Sequence, residues 1–233
     1  MSRNKLVLSM LLLIIQGCAK TNSDNVKTSG FYATYKITAN NQNSATCTST
    51  FQVGGLTGTY LDLSAGDSIT CDGQAMSRSD FAGIVTYSAI VAYQVGKTYN
   101  FVLMRVGEGS YTSSAVLPAV ISGNSPSGNP SIHKGSPINL LWTVSNNVFD
   151  SMDITLSYST GTSSYSYYKS DSFPELGSGL GFGSSETQVS PAVAGNWLGS
   201  ITFKRRQSGT MDVLLSGTVE AVQELKVDLT LID

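Results

Sequence analysis

The sequence predicts an all-β protein built as two tandem antiparallel β-sandwiches, and three observations carry that prediction. Apolar residues recur at period two in run after run, turn-forming residues separate the runs, and no stretch sustains a long 3.6-residue period. A Pro/Gly-rich tract then divides the chain into two blocks of about 95 residues, an ordinary size for a sandwich domain of seven or so short strands.

The chain begins with a segment of a different kind. Arg3 and Lys5 form a short basic head, residues 6–15 are largely apolar, and Ile15-Gln16-Gly17-Cys18 closes the run. An apolar run this short falls below the ~20 helical residues that span a bilayer core, and a polar tract follows it directly. The four closing residues resemble the lipobox of bacterial lipoproteins, with Gly17 and Cys18 matching and Gln16 departing from the usual small residue. That resemblance implies a signal peptide over residues 1–17, cleavage before Cys18, and acylation of Cys18, palmitate included. With Ala19 rather than aspartate next, it also implies delivery to the outer membrane of the bacterial cell envelope. Residues 18–29 are polar and aperiodic, so they read as a flexible lipidated tether.

Residues 30–122 form the first predicted sandwich. Cys47, Ser49, Phe51 and Val53 share one strand face, and Gly54-Gly55, Ala65-Gly66-Asp67, Cys71-Asp72-Gly73 and Gly107-Glu108-Gly109 supply turns. With Cys18 assigned to lipid, Cys47 and Cys71 remain as an even pair in an oxidising compartment, which predicts a structural disulfide. The strand-turn rhythm of this block, from residues 31–37 to 111–118, resembles bacterial immunoglobulin-like and fibronectin-III-like domains. The 23 residues between the cysteines are too few for the bridge of the antibody type, so the bond is expected to point into the core between nearby strands.

Residues 123–137, with Pro126, Pro130 and Pro137 among glycines, read as a linker, and residues 138–233 as the second sandwich. Its strands show in Ile138, Leu140, Trp142 and Val144, in Met152, Ile154, Leu156 and Tyr158, and in Leu225, Val227, Leu229 and Leu231. Residues 101–109 and 201–209 echo each other at an offset of 100: a strand, an arginine near its end (Arg105, Arg205), then a glycine. The basic run Lys204-Arg205-Arg206 reads as a solvated hairpin rim, with lipid head groups as a sharper alternative. Gly177 to Gly183, glycine at every second position, reads as a surface loop.

Composition narrows the function. The formal charge is −2 and charged residues make up 13% of the chain, about half the usual share of soluble domains, which argues against nucleic-acid binding. Gly-x-Ser-x-Gly, His-Glu-x-x-His and Walker patterns are absent from the sequence. The single histidine, His133, lies in the linker, and the Ser-x-x-Lys matches at Ser131 and Ser166 lack the Lys-Thr-Gly segment of penicilloyl-type enzymes. No metal or cofactor is expected. A glycan hydrolase needs only two acids 5–10 Å apart, roughly, and Asp150, Asp153, Asp171, Glu175 and Glu186 are the candidates. Against that alternative stands a recognition surface over residues 158–173, where Tyr158, Tyr165, Tyr167 and Tyr168 alternate with serines. Tyrosine supplies contact area at low entropy cost and serine supplies adaptable hydrogen bonds. The sequence therefore points to a non-catalytic, membrane-anchored envelope lipoprotein for binding, adhesion or surface assembly, with an envelope protein or a glycan as partner. A structural spacer, with the tyrosines buried between the two domains, is the third reading.

Overall fold

The computed structural model describes residues 20–39, 43–64, 66–94, 96–122, 124–142, 151–160, 163–171, 178–187 and 195–233. In the first sandwich, strands β1 (Lys20–Asn22), β2 (Phe31–Ala39), β3 (Ser44–Val53) and β4 (Thr59–Asp62) precede β5 (Ser68–Cys71), β6 (Gln74–Ala75) and β7 (Ser77–Phe81). β8 (Ile84–Ala92), β9 (Thr98–Arg105) and β10 (Gly109–Val116) complete it. One sheet joins β2, β3, β8 and β7, while the other has the order β10-β9-β5-β6. β2 buries every second residue, Phe31, Ala33, Tyr35, Ile37 and Ala39, because alternate side chains of a strand face one side. The facing sheet answers with Tyr99, Phe101 and Leu103, and Tyr35 stacks on Phe101 at 5.0 Å between ring centroids. Each such ring contributes about 2–3 kcal/mol by leaving water.

Cys47 of β3 and Cys71 of β5 form the predicted disulfide, both fully buried. The bond runs between the two sheets, so it staples the sandwich across its core. Closing the intervening loop contributes about 3 kcal/mol.

The stretch expected to be a flexible tether is ordered from Lys20 onward. β1 pairs in parallel with β4, and Ser23 and Thr28 are buried. Polar composition hides this because the bonds are tertiary: Ser23 donates to Asp67 Oδ2 at 2.5 Å, and Thr28 N donates to Glu108 Oε2 at 2.9 Å. Buried Arg105 holds the stretch by donating to Ser23 O at 2.7 Å and Val26 O at 3.1 Å. Its guanidinium also pairs with Asp67 at 2.9 Å and covers the Phe31 ring at 4.5 Å.

The second sandwich comprises β11 (Ser131–His133), β12 (Ile138–Leu141), β13 (Ser151–Ser159), β14 (Ser164–Asp171) and β15 (Ser178–Phe182). A single helical turn, α1 (Ser184–Thr187), precedes β16 (Trp197–Ser208) and β17 (Ser216–Ile232). β17, β16, β13 and β14 are successive neighbours, β11 lies parallel to the end of β17, and β12 pairs with β15. Met152, Ile154, Leu156, Tyr158, Trp197, Ile201 and Phe203 form its core with Trp142 and Phe182. The glycine-alternating segment is a strand rather than a surface loop from Ser178 on. At Gly181 a Cβ would stand 2.8 Å from Ile138 O, so glycine there permits the close pairing with β12.

The two sandwiches share β17. Its residues 216–223 pair in parallel with β2, and its residues 220–231 pair antiparallel with β16. At about 3.3 Å per residue the strand extends roughly 55 Å, long enough to serve both units. Residues 209–215 then cross the open edge of the first sandwich. Thr210 and Ser114 exchange backbone hydrogen bonds at 2.8 Å each, and Thr112 N donates to Asp212 Oδ2 at 2.8 Å. Leu215, Val219 and Ala221 belong to the first core. Two glycines permit this docking: a Cβ at Gly209 would meet Ser114 O at 2.3 Å, and one at Gly217 would meet Ala33 O at 1.8 Å.

Candidate functional site

Strand alternation divides the tyrosine segment between two sides of the sheet. Tyr158 is buried and stacks on Tyr165 at 5.3 Å, Tyr167 at 6.2 Å and Trp197 at 5.8 Å. Tyr165 and Tyr167 are half-buried against the same core. Burial pushes the Tyr158 hydroxyl well above the ordinary phenol range, and the hydroxyl donates to Glu186 O at 3.1 Å. Tyr168 alone of the four points to the outer face, where it is 63% exposed and donates to Asp153 Oδ1 at 2.7 Å. Four residues expected on one contact surface thus divide into three that build the core and one that faces solvent. Nor do they lie between the two sandwiches, as the spacer reading requires. Cys18 lies outside the described residues, and Cys47 and Cys71 form the core staple.

The outer face of β14-β13-β16-β17 carries a different set. Register places Ser166, Ser157, Ser200 and Asp228 in one row across four strands. The next row reads Ser164, Ser159, Leu198 and Thr230, with Leu198 73% exposed. Ser157 and Ser166 lie 3.2 Å apart at their hydroxyls. These rows line an open groove of about 690 Å³ together with Asn129 and Lys226. In the sequence, Ser159, Ser164 and Ser166 belong to the tyrosine–serine segment, but Ser157 and Ser200 show only an outward-facing alternation. What brings them into rows is strand register, which is fixed by pairing over long sequence distances.

Charge on this face is internally matched. Asp153 accepts from Tyr168, from Ser170 at 2.7 Å and from Arg206, while Arg206 also donates to Glu220 at 2.6 Å. Lys204 pairs with Glu224 at 3.1 Å and Lys226 with Asp228 at 2.9 Å. The basic run is therefore no free rim. Lys204 and Arg206 hold carboxylates, and Arg205 turns inward, fully buried, donating to Ala119 O at 3.2 Å.

Among the described residues, the candidate acids Asp153 and Glu186 do not form a pair. Asp150 and Glu175 lie outside the described residues, as does the side chain of Asp171. Asp153 faces outward, while Glu186 pairs with Lys169 at 3.1 Å on the inner side of the same sheet. Burial raises the Asp153 carboxyl, but hydrogen bonds from Ser170, Tyr168 and Arg206 outweigh it and hold the group below its ordinary value. That is the wrong direction for a general acid, which needs a raised pKa. Ser166 and Lys169 point to opposite faces of β14, as three-residue spacing on a strand requires, so they make no dyad. His133 Nδ1 sits 2.8 Å from Asp233 O. Among the described residues no three His, Cys, Asp or Glu side chains cluster as a metal site.

No protein-family model matches the chain, and no curated protein matches it. Among solved structures it is similar to a cytokine receptor complex at 11% identity and a TM-score of 0.28, over 82% of this chain and 94% of that one. It is also similar to the fibronectin(III)-like modules of Clostridium thermocellum CbhA, again at 11% identity, with a TM-score of 0.25 over 85% and 91% of the two chains. The strand order itself defines the class: an all-β chain of two tandem, mainly antiparallel sandwiches that share β17.

Proposed function

We propose that this chain is a lipid-anchored protein of the bacterial cell envelope, held by acylated Cys18, that binds a partner without catalysing a reaction. The ligand surface is the outer face of β14-β13-β16-β17. The observation that carries this reading is the row Ser166, Ser157, Ser200 and Asp228 along an open groove beside exposed Leu198. Hydroxyls that both donate and accept, next to one apolar side chain and balanced charge, suit a polar, uncharged ligand such as a glycan or an extended protein segment. Sandwiches of this class host many functions, so the site rather than the fold bears the argument.

The test is in-cell photo-crosslinking from Ser200 in the anchored protein, with Tyr32 as the control position. Capture of one reproducible protein or glycan from Ser200 alone supports the face as the binding surface. Equal capture from both positions overturns it. Membrane fractionation of Cys18→Ala examines the anchor separately: release into the soluble fraction is expected, and unchanged retention overturns it.

A further inference from the structure

Most of the exposed apolar side chains of the first sandwich gather at the pole where the chain enters, whereas Ile90, 72% exposed on β8, lies towards the other end. Register fixes this. Phe31 of β2 is opposite Val53 of β3, Val53 is opposite Thr59 of β4, and Lys20 is opposite Tyr60. The β7–β8 turn lies at the same end, since β8 runs antiparallel to β3 and Lys20 Nζ bonds Asp80 Oδ2 at 2.6 Å, one residue before Phe81. Arg105, above Phe31, brings the β9–β10 turn there, and Ser216, opposite Tyr32, brings the tip of the docked hairpin.

Each of these turns ends in an apolar side chain that faces water. Phe81 is 80% exposed, Val106 68%, Leu56 62%, Val213 96% and Leu214 64%. Exposed apolar residues scattered singly need no explanation, but a ring of them on four separate turns around one point does. The second sandwich extends from the opposite pole, because β17 runs from Ser216 beside Tyr32 towards Gln223 beside Ala39 and pairs with β16 from Glu220 onward. Cys18 stands two positions before Lys20, so its Cα is within about 7 Å of Lys20 Cα in any conformation.

From this we infer that the entry pole of the first sandwich is a lipid-facing surface, whose apolar turns rest in the interfacial layer of the membrane that holds Cys18. The proposal rests on the anchor reading for its orientation: an acyl chain this close to the folded unit leaves the pole no room to stand clear of the bilayer. The residues are large and apolar, the type that enters the boundary between head groups and acyl chains. Lys20 and Arg78 are already held by Asp62 and Asp80, and exposed Lys27 is offset by nearby Glu108, so contact is mainly apolar. Membrane association then has two parts, acyl chains and turn tips, and the second sandwich projects away with its hydroxyl face in water.

The experiment is flotation of the full chain carrying Cys18→Ala, which removes acylation, with vesicles of phosphatidylethanolamine and phosphatidylglycerol. The expected result is weak co-flotation that survives raised salt and falls at least about tenfold when Phe81→Ser, Val213→Ser and Leu214→Ser are combined. All three side chains are exposed, so an unchanged melting temperature verifies that the variant is folded. No flotation of the Cys18→Ala chain overturns the proposal, as does flotation that the three substitutions leave intact. A concentration-dependent dimer lost in the triple variant, with no flotation, overturns it in favour of a second copy of the chain. Palmitate labelling of the unsubstituted chain separates the two readings. Label without flotation defeats the lipid-facing pole and keeps the anchor, whereas flotation without label defeats the anchor and supports the pole.

Discussion

Arg105 and Arg205 stand 100 positions apart, and each ties the segment entering its own sandwich to that sandwich. Arg105 closes β9 in the four-stranded sheet β10-β9-β5-β6, whereas Arg205 lies three residues before the end of β16, between β17 and β13 in the larger sheet. Each is buried, and each donates to backbone carbonyls of the segment that leads into its own sandwich: Ser23 and Val26 for Arg105, Ala119 and Val120 for Arg205. A guanidinium suits this role because its fork of donors satisfies several carbonyls that have left water. The short echo between residues 101–109 and 201–209 is therefore shared only as far as the arginine, because residues 106–108 form a turn while β16 continues to Ser208.

The way the charge of Arg105 is met gives a first prediction. Arg105 is neutralised by Asp67, with both side chains at most 5% exposed. Replacing Asp67 with Ala leaves a cation buried without its counter-charge, at a cost of about 3–5 kcal/mol. Lys204→Ala, which breaks a more exposed pair with Glu224, should cost under about 1 kcal/mol. Urea denaturation at neutral pH measures both, and comparable losses would refute the role given to the Arg105–Asp67 pair.

A second prediction concerns the coupling of the two units. With β17 shared, the protein should unfold in one cooperative step. Gly217 has φ +142 and lies against the Ala33 backbone, so Gly217→Val cannot keep the docked geometry. The variant should lose about 2 kcal/mol or more and show earlier hydrogen exchange along β2, while β13 keeps its protection. Uniform loss of protection across both sandwiches would show that docking is not the seam.

The tyrosines give a third. Tyr158→Ala removes a ring enclosed by Tyr165, Tyr167 and Trp197 and should cost about 3–5 kcal/mol. Tyr168→Ala removes an exposed ring and one hydrogen bond to Asp153, a loss of about 1 kcal/mol. Thermal unfolding of the two variants decides between core and surface, and a mild Tyr158→Ala phenotype would return that residue to the candidate contact surface.

How far the sequence reveals these features depends on their range. Period-two alternation makes β2, β3, β13 and β17 visible, because burial of one face is a local constraint. Even so, the cue assigned Tyr158 and Tyr168 to one surface, since a run rich in tyrosine and serine conceals which phase faces inward. The ordering of Lys20 to Gly30 escaped it for another reason: Ser23, Val26 and Thr28 are held by Arg105, Asp67 and Glu108, partners 40 to 80 positions away. The double use of β17 is hidden likewise. Its apolar residues continue through Val219 and Ala221 without a break, and only parallel pairing with β2 reveals that the first half belongs to another core.

Acid titration supplies the last prediction. Asp153 is held below its ordinary pKa: burial opposes ionisation, but Ser170, Tyr168 and Arg206 stabilise the carboxylate more. A group whose folded pKa is depressed binds fewer protons folded than unfolded between the two values. Its contribution is therefore complete above the unfolded value of about 3.9 and disappears as pH falls through the folded value. Asp62, paired with Arg78, and Glu108, bonded to Thr28, shift in the same direction and add to the acid sensitivity. Asp153→Asn should accordingly be less stable than the unsubstituted protein at pH 7, with the gap narrowing as pH drops below about 4. Melting temperatures of both chains from neutral pH down to about pH 2 make the comparison. A gap that stays constant across the range would mean that the Asp153 carboxylate contributes through its shape and hydrogen bonds rather than its charge.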